Sequence, residues 1–83
     1  MSKEEIKSTL KKFLIKRFEL SFGDPELDDD THLYEKGYID SIDSLVLLTF
    51  LEKTFKIKID AQDLIDFPIN TVNEMVEFIS ARS

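Results

Sequence analysis

Eighty-three residues with 42% hydrophobic and 34% charged side chains suit one folded domain with a modest core, and they exclude a disordered tail or a deep, multi-part active site. There is no cysteine, which excludes disulfides and thiolate-bound metals and fits a reducing compartment. The net charge of −6 is uneven: residues 1–20 hold six basic and three acidic side chains, the remainder five basic and fourteen acidic, so the body repels nucleic-acid phosphate and favours basic protein partners.

The first helix is predicted over about residues 3–20. Ser2 and Glu5 form a capping-box pattern, and Ile6, Leu10, Phe13, Leu14 and Phe18 recur at helical spacing as a buried stripe. Its lysines read as a solvated face. Gly23, Asp24 and Pro25 break it. A long polar connection over 23–40 follows, anchored by Leu27, Leu33 and Tyr34. One helical turn is expected at 31–36, with Thr31 as cap and Gly37 as stop.

The second helix should span Ser41 to Phe55. Lys56-Ile57-Lys58-Ile59 alternates like a strand but has no partner strand, so it reads as an extended connector. Asp60 caps a short helix over 61–66, which Pro68 ends. A last helix over 72–81 starts from a Thr71/Glu74 capping box and carries an apolar stripe of Val72, Met75, Val76 and Ile79. The expected fold is all-α: a small four-helix bundle, three longer helices and one short, with a long loop between the first two and a single domain over 1–83. No run of about 18 apolar residues is present and the N-terminus lacks a secretory apolar segment, so a cytoplasmic monomer is expected.

Ser41 is the candidate functional residue. It stands at the start of a strongly apolar helix, where unpaired N–H groups and the helix dipole favour an anion such as a phosphodiester. On those residues alone, Asp40-Ser41 ahead of such a helix reads more readily as an ordinary N-cap, with Ser41 in that role.

The residues further along separate these readings. Asp40-Ser41-Ile42 is followed by an apolar helix ending in Leu51-Glu52-Lys53-Thr54-Phe55, then Ile57-Lys58-Ile59, and Tyr34-Glu35 lies upstream. This pattern resembles the acyl carrier protein family, whose Asp-Ser-Leu serine bears a 4′-phosphopantetheine arm, and the likeness covers essentially the whole chain. The resemblance implies 4′-phosphopantetheine, taken from coenzyme A, attached to Ser41 with Asp40 as flanking motif. It implies a cargo held as a thioester and no catalysis by the chain itself. The implied partners are a phosphopantetheinyl transferase, an acyl- or aminoacyl-loading ligase and downstream enzymes with basic docking surfaces. The alternative is an unmodified helical module that binds another protein through the same helix.

Asp43-Ser44-Leu45 matches Asp-Ser-Leu more literally, but it would bring Phe55 three residues too early. At about 100° per residue, Ser44 also shares the core-facing side with Leu47, Leu48, Leu51 and Phe55. The opposite side holds Ile42, Val46, Thr49 and Lys53, with Leu45 at its border. Ile42, Asp43, Leu45, Val46 and Thr49 are the expected partner-binding residues, ringed by Asp40 and Asp43, with Asp60, Asp63 and Asp66 further along.

Two departures matter. Carriers of fatty-acid synthesis usually read Leu-Gly-Ala-Asp-Ser where this chain has Gly37-Tyr38-Ile39-Asp40-Ser41, and they tend to place Glu where Val46 stands. The pattern looks more like stand-alone carriers dedicated to one pathway, including D-alanyl or peptidyl types. The cargo could be a fatty acyl group, an amino acid or a polyketide-like intermediate.

Asp28-Asp29-Asp30 fails as a calcium loop, because from Asp28 the sixth and twelfth positions are Leu33 and Ile39. It reads as an acidic, solvated loop. His32, the sole histidine, has no nucleophile pattern nearby and reads as a surface or cap-side residue. No catalytic or metal-ligating residue is expected.

Overall fold

The computed structural model describes residues 1–23 and 26–82; Asp24, Pro25 and Ser83 lie outside the described residues. These residues form four helices and no strand: α1 (Lys3–Phe18), α2 (Ser41–Phe55), α3 (Ala61–Asp66) and α4 (Val72–Arg82). The fold is the small helical bundle expected, with α1 packed chiefly against α4.

α1 opens as its sequence dictates. The Glu5 amide donates to Ser2 Oγ at 3.2 Å and the Ser2 amide donates to Glu5 Oε1 at 3.1 Å. Ile6, Leu10 and Leu14 are fully buried, while Phe13 and Phe18 pack half-buried at the edge of the core. The helix stops at Phe18 and not at residue 20, because Glu19 adopts the left-handed conformation (φ 58°, ψ 34°). That conformation costs about 1–2 kcal/mol in a residue with a Cβ. It turns the chain so that Leu20 enters the core at 7% exposure, a burial of comparable worth at about 1.5–3 kcal/mol. Of the expected breaker Gly23-Asp24-Pro25, only Gly23 is described, and the helix has already ended before it.

The long loop is tied down at several points. Lys11 and Lys7 reach the Asp29 carboxylate at 2.9 and 3.4 Å. Asn73 donates its backbone amide to the Asp29 carbonyl at 3.0 Å and its side-chain amide to Asp30 Oδ1 at 2.6 Å. The Leu33 amide donates to the Asn70 carbonyl at 3.0 Å. Leu27 and Leu33 are buried anchors and Tyr34 is a half-buried one. The aspartate run is therefore not simply solvated: Asp29 and Asp30 fasten the loop to α1 and α4.

The helical turn falls at 33–37, and its cap is His32 rather than Thr31. The Glu35 amide donates to His32 Nδ1 at 3.1 Å. Thr31 Oγ1 is engaged elsewhere, accepting from the Asp28 amide at 2.9 Å and donating to Asp28 Oδ1 at 3.1 Å. The ring nitrogen won because a threonine hydroxyl so close to Asp28 is already satisfied.

α2 is held to α1 by rings. Phe13 stacks on Phe50 with centroids 3.8 Å apart, and edge contacts extend the series to Phe18 at 5.8 Å and Phe55 at 6.3 Å. At its end Lys56 turns left-handed, and the amides of Lys56 and Ile57 both point to the Glu52 carbonyl. Glu52 Oε2 also accepts from the Ile59 amide at 3.0 Å. The Leu51-Glu52-x-x-Phe55 pattern thus has a structural meaning: Leu51 and Phe55 fill the core, and Glu52 clamps the connector with two of its oxygens.

Candidate functional site

The first turn of α2 is built by two aspartates. Asp40 is the N-cap, its Oδ1 accepting from the Asp43 amide at 2.8 Å, and Asp43 Oδ2 accepts from the Asp40 amide at 3.2 Å. This reciprocal box, which the sequence reading did not contain, gives Asp40 the capping role and releases Ser41 from it. Ser41 is exposed at the first helical position. Among the described residues its hydroxyl has no hydrogen-bond partner within the protein, and the amides of Ser41 and Ile42 have no acceptor. Two free amides at a helix mouth, beside a free hydroxyl, make a place where a phosphodiester is tolerated.

Ser44 differs. It is half-buried, and its hydroxyl donates to the Ser41 carbonyl at 2.7 Å. Tyr34 lies beside it. Burial pushes the Tyr34 hydroxyl above its ordinary value, with the Ser44 hydroxyl pulling the other way. Of the two serines, only Ser41 offers an unencumbered oxygen to an incoming enzyme.

Along the outer face of α2, Ile42 is 73% and Leu45 65% exposed. Leu45 is therefore as much a part of that face as Ile42, and not its border. Thr49 is exposed, with its hydroxyl donating to the Leu45 carbonyl at 2.9 Å, and Val46 is half-buried. Two large aliphatic side chains left in water within one turn of Ser41 form a compact apolar patch. Asp40 is exposed beside it, while Asp43 is half-buried and engaged in the cap.

The acidic ring expected further along is altered. Asp60 and Asp66 are exposed, but Asp63 is turned inward at 8% exposure and bonded to Arg82. The Asp60 amide hydrogen bond holds Asp63 below the ordinary carboxylate range; burial opposes it and Arg82 reinforces it. Leu64, Ile65 and Phe67 are exposed apolar residues that the sequence reading missed. Part of the signal was present in Asp60-x-x-Asp63, a capping-box spacing that commits the second aspartate to the helix start.

A family model described as the phosphopantetheine attachment site matches residues 13–79, which contain α2, α3 and the whole of the long loop. No curated protein matches the chain significantly.

Proposed function

The chain belongs to the phosphopantetheine-attachment family, as a member of the acyl carrier proteins, and we propose that Ser41 is its attachment residue and that it works as a dedicated acyl or aminoacyl carrier in the cytoplasm. The family attaches 4′-phosphopantetheine covalently. The arm supplies a thiol at the end of a long flexible tether, on which cargo is carried as a thioester. Carrier domains of this kind are not themselves catalytic, and they work with transferases and processing enzymes.

The observation that carries the assignment to Ser41 is the exposed, unbonded hydroxyl next to two unpaired amides. A phosphodiester there is favoured by the helix dipole by about 0.3–1 kcal/mol. Asp40 supports the site in two ways: it takes the capping duty away from Ser41, and it fixes the direction in which α2 leaves the loop. Ile42, Leu45, Val46 and Thr49 supply an apolar landing strip, with Asp40 and Asp43 setting the local negative charge that a basic partner surface would meet. Val46 and the Gly37-to-Ser41 sequence support a pathway-specific carrier over a general fatty-acid one. Residues 1–83 are taken as one such unit.

The test uses the unmodified full chain with coenzyme A, magnesium and a broad-specificity phosphopantetheinyl transferase. Intact mass should show one added arm. Ser41→Ala should abolish the addition, while Ser44→Ala should retain it. Labelling that survives Ser41→Ala would overturn the assignment of the residue. No labelling of the natural sequence would leave an unmodified interaction module as the better account.

A further inference from the structure

α3 is held in place by an unusual means. Its six residues bury a single side chain, and that side chain is a carboxylate: Asp63 is the only buried polar or charged residue among those described. The apolar residues of the helix point away from the core, Leu64 being 44% and Ile65 76% exposed. A helix this short has no stability of its own, since isolated helices below about 12–15 residues are marginal in water. Burial of its own apolar side chains is not what chiefly fastens it.

Arg82, at the end of α4, is what does. Its Nη1 donates to Asp63 Oδ2 at 3.0 Å and its Nη2 donates to Asp63 Oδ1, a fork on both carboxylate oxygens. The guanidinium lies over the Phe78 ring at 4.6 Å and the Phe67 ring at 5.6 Å, and Nη1 reaches the Lys58 carbonyl at 3.4 Å. One side chain therefore touches the chain before α3, α3 itself and the chain after it. Beside this contact runs an open groove of about 610 Å³, with Phe67, Pro68, Phe78 and Arg82 among its walls. Arg82 also lies beyond the stretch matched by the family model, which ends at residue 79.

We propose that Asp63 and Arg82 form a latch: α3 is a hinged flap fastened to the end of α4 by this ion pair, and it opens as a unit while α1, α2 and α4 stay folded. The end of the extended connector at Asp60 and the chain at Pro68 are the hinges. Opening lifts Phe67 from Phe78, now in edge contact at 5.6 Å, and widens the groove. The latch holds whether or not the carrier reading does. Combined with that reading, it gives the carrier a movable element whose position one residue controls.

The test is amide hydrogen exchange on the full chain, comparing the natural sequence with Arg82→Ala and Arg82→Lys. The reporters are the amides of Asp63, Leu64 and Phe67, which bond within the α3 segment. Arg82→Ala should speed their exchange at least tenfold and leave the buried turns of α1 and α4 unchanged. Arg82→Lys should fall between, because an ammonium meets the carboxylate without the fork or the ring stacking. Equal exchange at α3 in all three proteins would overturn the latch. So would acceleration spread evenly over α1 and α4, or a variant that loses its structure altogether. Labelling of Ser41 on the same samples keeps the two readings apart: α3-specific exchange without labelling retains the latch and removes the carrier, and labelling with uniform exchange does the reverse.

Discussion

Gly37 decides how the loop delivers Ser41. It closes the 33–37 turn at φ 79°, its amide donating to the Tyr34 carbonyl at 3.1 Å. The next two amides, of Tyr38 and Ile39, fold back onto the Leu33 carbonyl at 2.9 and 3.3 Å, and Asp40 follows as the cap of α2. A Cβ at Gly37 would meet nothing within 4 Å, so the cost of Gly37→Ala is that of the backbone conformation alone, about 1–2 kcal/mol. Gly23 provides the contrast. A Cβ there also meets nothing within 4 Å among the described residues, and its φ is not in the left-handed range. Alanine at that position restricts the unfolded chain and should stabilise by about 0.4–1 kcal/mol. Urea unfolding of the two variants should therefore move in opposite directions from the natural sequence. A loss in both would mean that open space around the glycines, rather than the left-handed turn, had been misjudged.

The helices themselves were legible because each carries its own start signal. Ser2/Glu5 and Thr71/Glu74 were readable as capping boxes, and the extent of α2 and of α3 follows from Asp40-Ser41 as a capping pair, from Asp60 as a cap and from apolar spacing between, although the cap of α2 proved to be Asp40 and not Ser41. What was not legible depends on contacts between elements. Nothing local to Asp63 shows that its partner is Arg82, 19 residues on, and nothing local to Phe18 shows that burying Leu20 is worth a left-handed Glu19. The loop is the clearest case. Asp29 reads as one of three solvated carboxylates, yet it binds Lys7 and Lys11 of α1. Burial raises its pKa, but the two ammonium groups overcome this and hold it below the ordinary carboxylate range. The unfolded chain therefore takes up the proton first as pH falls. The tether's contribution is complete above the ordinary carboxylate value of about 4 and is lost as pH drops through the lower folded value. Urea midpoints should be flat from about pH 7 to 5 and should fall below about pH 4. Asp29→Asn should lower the midpoint at pH 7 and show a shallower acid loss. An identical acid slope in the variant would show that the tether is not what titrates.

Charge is distributed over the whole molecule as it is over the sequence, and the distribution bears on how partners arrive. The α1 side carries Lys12 and Lys16, both exposed and neither in an ion pair among the described residues. These lysines flank Phe13, which stacks on Phe50 in the C-terminal half of α2. Ser41 begins the same helix nine residues earlier, about 14 Å along its axis at 1.5 Å per residue. The Debye length at physiological ionic strength is about 8 Å. The part of α2 on which the basic face packs is thus more than one screening length from the candidate site, within a body of 31 × 26 × 19 Å. An approaching basic surface should respond to Asp40, Asp43 and their neighbours rather than to the net charge of −6. Two outcomes follow for transferase labelling of the unmodified chain. Raising salt from about 20 to 200 mM should lower kcat/KM several-fold, chiefly through the encounter rate. Reversing Lys12 and Lys16 to Glu makes the net charge −10, yet at physiological salt it should change kcat/KM by less than about twofold, because the altered charges lie outside the screened neighbourhood of the site. A large acceleration in that double variant would show that net charge governs the encounter. A salt-independent kcat/KM would show that the apolar strip of Ile42 and Leu45, and not the acidic cap, is what partners first detect.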